Sequence, residues 1–176
     1  MFKTLLARVL GFSRRQDPDT PPDEFWAEMQ ECEQRIRELE ARPPSVDILY
    51  EALQILKPRL HFDIELEGDP PTSVCLRHSS GMTHYLSFEN GLYHDFWTQA
   101  AETDLDRSDS LERIVWSAAG MVPPSIYIRA YRWAERHHRI GRHPKTRKVI
   151  GVPTNIIENE YSKEFEKADG IWRRKL

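Results

Sequence analysis

The spacing of apolar residues changes along the chain, first helical, then two-residue, then helical again. Phe2, Leu5, Leu6, Val9 and Phe12 share one face of a short amphipathic helix over 2–12, with Lys3 and Arg8 off it. Such a helix suits docking on the core, an anionic membrane surface or a partner. A polar linker follows. Thr20 then reads as an N-cap with Pro21 at the first helical position, opening a helix to about Ala41. Its apolar residues Phe25, Met29, Cys32, Ile36 and Leu39 form a narrow heptad stripe. "RPPS" breaks the chain, and Ser45 caps a second helix through Lys57, with Val46, Leu49, Leu53 and Leu56 inward and Pro58 ending it. Residues 21–57 thus read as a helical hairpin.

At residue 60 the period becomes two. Leu60, Phe62, Ile64 and Leu66 alternate with His61, Asp63, Glu65 and Glu67, one face dry and the other wet and acidic. "SVCLRH", "THYLSF" and "YHDFWT" read as three further strands, the last two joined by Asn90-Gly91, a strong hairpin signal. Residues 59–98 are expected to form an antiparallel meander. The stretch after Thr98 reads as a polar loop.

Asp109 with Glu112 resembles a capping box for a helix ending near Ala119. "VPP" precedes a helix over 124–139 with Ile126, Ala130, Trp133 and His137 inward. "VIGV" suits a short fifth strand. Thr154 is expected to cap a last helix carrying Ile157, Tyr161, Phe165 and Ala168, stopped by Gly170 and followed by a tail. The expected fold is α+β: a four- to five-stranded antiparallel meander packed by helices on one face. Residues 1–20 form an N-terminal helical extension and linker, and residues 21–176 a single domain.

Charge adds what the apolar pattern omits. The formal net charge is −3, but it is segregated. Residues 16–41 hold nine acids against Arg35 and Arg37, whereas residues 129–148 hold eight Lys or Arg against Glu135. Arg129, Arg132, Arg136 and Arg139, spaced 3, 4, 3, form one helical stripe, and Arg142 and Lys145 extend it. This stripe suits the chain's own acidic helix, an acidic protein partner, or phosphates of nucleic acid. The chain's pI of about 6.2 argues against a dedicated nucleic-acid binder. The acids Glu28, Glu31, Asp63 and Glu65 are the matching surface for a basic partner.

Catalytic signatures are sparse. No phosphate loop, GxGxxG or HExxH occurs, and Cys32 and Cys75 are isolated, so no cofactor or metal is expected. The two cysteines suit reduced thiols in a cytoplasmic protein. His84 and His94 flank the Asn90-Gly91 turn. If residues 89–92 form the loop, His84 faces Trp97 and lies diagonal to Asp95; a loop one residue shorter turns Asp95 away. Asp63, Glu65 and Glu67 stack as carboxylates able to hold a cation or simply to face water.

The pattern therefore predicts a non-enzymatic protein-binding protein acting through segregated charge, in the manner of a small inhibitor or adaptor of the immunity-protein or chaperone type. A phosphate- or nucleic-acid-binding protein using the basic stretch is the alternative. A hydrolase-like enzyme with a His/Asp site on the sheet is a third reading.

Overall fold

The structure, a computed structural model, describes residues 22–60, 62–79, 81–99, 102–142, 145 and 149–176. The expected 2–12 helix, and with it any membrane contact there, lies outside the described residues.

Helices α1 (Pro22–Glu40) and α2 (Val46–Leu60) come first. The α1 stripe is core: Met29, Cys32, Ile36 and Leu39 are buried. Trp26 adds to it by stacking on Tyr127, ring centroids 4.4 Å apart. Pro58 does not end α2 but sits inside its last turn. There a missing N–H removes a single ladder bond from a helix already held by six buried side chains.

The meander follows as β1 (Phe62–Glu67), β2 (Ser73–His78), β3 (Thr83–Glu89) and β4 (Leu92–Gln99). Glu89 pairs with Leu92, which leaves Asn90 and Gly91 as a two-residue turn, both at positive φ (52° and 78°). The sheet then grows beyond the expected strands. The presumed polar loop is β5 (Glu102–Ser108), paired with β4 along its length. Its inward residues Asp106 and Ser108 are buried polar groups, so the strand never shows an apolar alternation.

Helix α3 (Leu111–Ala118) crosses the inner face of the sheet, every residue of it buried. Its N-cap is Ser110, whose Oγ accepts from Arg113 N at 3.3 Å. The expected capping box does not form, because Asp109 and Glu112 are drawn to Arg173 and Arg174 at the far end of the chain.

Helix α4 (Pro124–Arg136) precedes a small separate hairpin, β6 (Gly141–Arg142) with β7 (Val149–Gly151). The expected fifth strand therefore exists but does not join the main sheet. Helix α5 (Thr154–Glu164) stops earlier than expected. Phe165–Ala168 and Ile171–Arg174 are strands β8 and β9, joined by Asp169-Gly170 at φ 51° and 77°. Asp-Gly carries the same turn signal as Asn-Gly, and here it makes a hairpin rather than a helix stop. Strand β9 lies parallel to β5 and closes a seven-stranded sheet in the order β1-β2-β3-β4-β5-β9-β8.

The fold is α+β. One apolar core lies between α1, α2, α3 and the inner face of the sheet. A second joins α4, α5 and the β8–β9 hairpin. No described helix is long and apolar enough to cross a membrane.

Candidate functional site

Helix α4 presents the basic stripe. Pro123 and Pro124 set its start, and Ile126, Ala130 and Ala134 bury one face. Trp133 is half-buried, and His137 is exposed, stacked on Trp133 at 4.0 Å, so Ala134 takes the inward place expected of His137. The helix ends in a Schellman motif. His138, at φ 52°, takes the left-handed position, and Arg139 N donates to Ala134 O at 2.7 Å. Arg139 thus leaves the helix but stays beside its last turn.

The four stripe arginines divide. Arg129 turns back into the molecule: its Nε donates to the buried Glu160 at 3.4 Å and its Nη2 to Glu164, both on α5. Arg132, Arg136 and Arg139 are exposed and make no ion pair among the described residues. Lys145 is exposed as well. The side chain of Arg142 lies outside the described residues, as do His143, Arg147 and Lys148. The acids that answer Arg129 belong to α5, so the described contacts do not join the basic stripe to the acidic helix α1.

The acidic candidates are exposed, but half of them are already paired. Glu28 meets Arg59 at 3.3 Å, and Glu65 meets Arg77 at 2.7 Å. Glu31 lies on the exposed side of α1. Asp63 borders a surface depression lined with Gln54, Lys57, Pro58 and Phe62.

The histidine pairing is settled by the turn. His84 stands opposite Trp97, and its Nδ1 lies 2.7 Å and 3.0 Å from the two carboxylate oxygens of Asp95. This has the parts of a general base, but both side chains have zero exposure. His84 Nε2 makes no hydrogen bond among the described residues. No substrate atom reaches the pair in this conformation. Asp95 faces Asp106 across β4 and β5, and each acid has its own basic partner, His84 for one and Arg113 for the other at 2.6 Å. Arg113 also covers the Trp172 ring at 4.7 Å, so this row fastens α3 and β9 to the sheet.

A second polar cluster escaped the sequence reading. Glu33 and Glu112, 3% and 0% exposed, meet between the two apolar cores. Arg37 donates to Glu33 at 2.8 Å and to both oxygens of Glu112, at 3.0 Å and 3.1 Å; Arg174 donates to Glu112 from the other side. Burial, followed by hydrogen bonding to Glu112, pushes Glu33 up to about 7. Burial would raise Glu112 too, but hydrogen bonds from Arg37, Glu33 and Arg174 hold it below its ordinary value. The available signal was α3 itself: "LERIVWSA" is apolar on opposite sides, so its Glu and Arg had to find buried partners.

No family model, curated protein or solved structure matches this chain.

Proposed function

We propose that this is a non-enzymatic protein-binding protein of the cytoplasm, and that its basic face is the recognition surface for an acidic protein partner. The observation that carries this reading is the division of the stripe. One arginine, Arg129, anchors α4 to α5, and Arg132, Arg136 and Arg139 point to solvent without an acid among the described residues. Arginine is suited to this work, because its planar fork meets carboxylates two bonds at a time. The acidic surfaces support a weaker case, since Glu28 and Glu65 already have partners in the chain. The closed environment of His84 and Asp95 favours a binding role over hydrolysis. Two buried thiols without a disulfide suit a reducing compartment.

The test compares capture from native lysate, with and without nuclease treatment, by the wild type and by Arg132→Glu/Arg136→Glu. An acidic protein should be retained by the wild type, weakened by salt and lost in the variant. Capture that survives charge reversal would overturn the reading. Material that disappears on nuclease treatment would move it to nucleic acid, which a gel shift at low salt would then register.

A further inference from the structure

Helices α1 to α3 cover one face of the sheet. Across β1 to β5, the outward residues of the other face belong to neither apolar core. One row runs straight across the five strands: Glu65, Cys75, Tyr85, Phe96, Leu105. Tyr85 is 37% and Phe96 38% exposed, among the largest apolar exposures of the described residues. Two residues further along each strand, a second row runs Glu67, Ser73, Ser87, His94, Arg107. The apolar centre therefore has an acidic end at β1 and a basic end at β5.

We propose that this face pairs with the same face of a second copy, about a two-fold axis parallel to the strands and passing over β3. Such an axis reverses strand order between the copies while keeping each row level. Tyr85 then meets Tyr85 of the second copy, Phe96 lies over β2 of the second copy, and Glu67 meets Arg107 at both ends. Neither Glu67 nor Arg107 has an ion pair among the described residues, whereas Glu65 is answered by Arg77 within its own copy. The pattern also rejects the other in-plane axis. A two-fold running across the strands lays β1 on β1, setting Asp63, Glu65 and Glu67 against themselves. Charge complementarity thus selects both the occupant and its orientation.

The size of the face sets the strength. Five strands about 4.8 Å apart and about six residues long give roughly 500 Å² per copy. The pair buries about 1,000 Å², at the low end for a specific interface, so the dimer is weak and concentration-dependent. Sheets packed face to face stand about 10 Å apart with strands within about 30° of each other, close enough for the central rows to meet.

The experiment is sedimentation of the full chain from low to high micromolar concentration, with thermal melting of each variant as a folding control. The wild type should pass from monomer to dimer. Phe96→Glu should raise Kd about a hundredfold with an unchanged melt, since it alters an exposed position. Glu67→Arg and Arg107→Glu should each raise Kd about tenfold, because each sets like charges together at both ends. Combined in one chain, these two reversals should restore the wild-type Kd. The axis also sets Glu89 against its own copy, so Glu89→Gln should tighten the dimer. A monomer at every concentration overturns the proposal and leaves the face to another segment or another protein. A dimer lost through Arg132→Glu/Arg136→Glu but indifferent to Phe96→Glu also overturns it, and places self-association on α4. Failure here leaves the acidic-partner reading of α4 untouched.

Discussion

Glu33 of α1 closes the N-terminus of α4: its carboxylate accepts from Ser125 N at 2.8 Å and from Ser125 Oγ at 2.6 Å. Pro123 and Pro124 have no N–H to offer, so Ser125 carries the first donor of that helix. A single side chain thereby ties the core of α1 to the core of α4 and α5. Burial, together with a hydrogen bond shared with Glu112, makes it sensitive to pH.

The sign follows from the raised value. Folded Glu33 keeps its proton up to about 7, against an ordinary value of 4.5. Its contribution is complete below the ordinary value and is lost as pH rises to 7, a change of about 3 kcal/mol. Glu112, held below its ordinary value, works the other way and loses its contribution as the solution becomes more acidic. Stability is expected to peak in mildly acidic solution. Glu33→Gln keeps an acceptor for Ser125 and cannot ionise, so it should flatten the decline between pH 5 and pH 8 in urea titrations. Identical slopes for wild type and variant would count against the shared proton.

The buried His84–Asp95 pair yields a different expectation. Asp95→Ala leaves His84 without its partner at zero exposure, at a cost of about 3–5 kcal/mol. Replacing both by apolar residues, His84→Phe with Asp95→Leu, should recover most of that loss, because a buried polar pair is often no better than a packed apolar one. Chemical denaturation of the single and double variants measures the difference. Retained partner capture by the double variant would agree with a structural role for the pair.

The parts of the fold legible in the sequence are those where apolar periodicity and burial coincide. The alternation of Phe62 and Ile64 and the Asn90-Gly91 turn were enough to place the meander. Strand β5 was hidden because Asp106 and Ser108 occupy its inward positions; their burial depends on Arg113 of the next helix and on Trp172, which arrives much later in the chain. The β8–β9 hairpin was hidden because Phe165 and Ala168 continue the helical spacing of Ile157 and Tyr161. The extended form is favoured by pairing of β8 with β9 around Asp169-Gly170 and by the non-local contact of β9 with β5, and the latter leaves no trace in local spacing. The division between Arg129 and the other stripe arginines was equally invisible, since all four share one helical spacing and differ in what α5 brings to them.

The thiols should be inert in the folded state. Burial pushes both Cys32 and Cys75 up from their ordinary value, which lowers the thiolate fraction, and their exposures are 8% and 1%. Alkylation at neutral pH, followed by mass spectrometry, should label neither until denaturant unfolds the chain. Rapid labelling of Cys75 under native conditions would show that the sheet face around Tyr85 opens.

The stripe arginines should separate cleanly in stability. Arg129 is the partner of Glu160, whose side chain is 6% exposed. Arg129→Ala leaves that buried carboxylate with Lys163 alone, so a loss of about 1–2 kcal/mol is expected. Arg132→Ala and Arg136→Ala remove exposed side chains that meet no acid among the described residues, and should stay within about 0.5 kcal/mol of the wild type. Partner capture should show the opposite order, with Arg132 and Arg136 decisive and Arg129 nearly silent once its stability loss is allowed for. Urea denaturation and capture on the same variants give both rankings. If Arg132→Ala proves as destabilising as Arg129→Ala, the stripe is structural throughout and α4 presents no binding face.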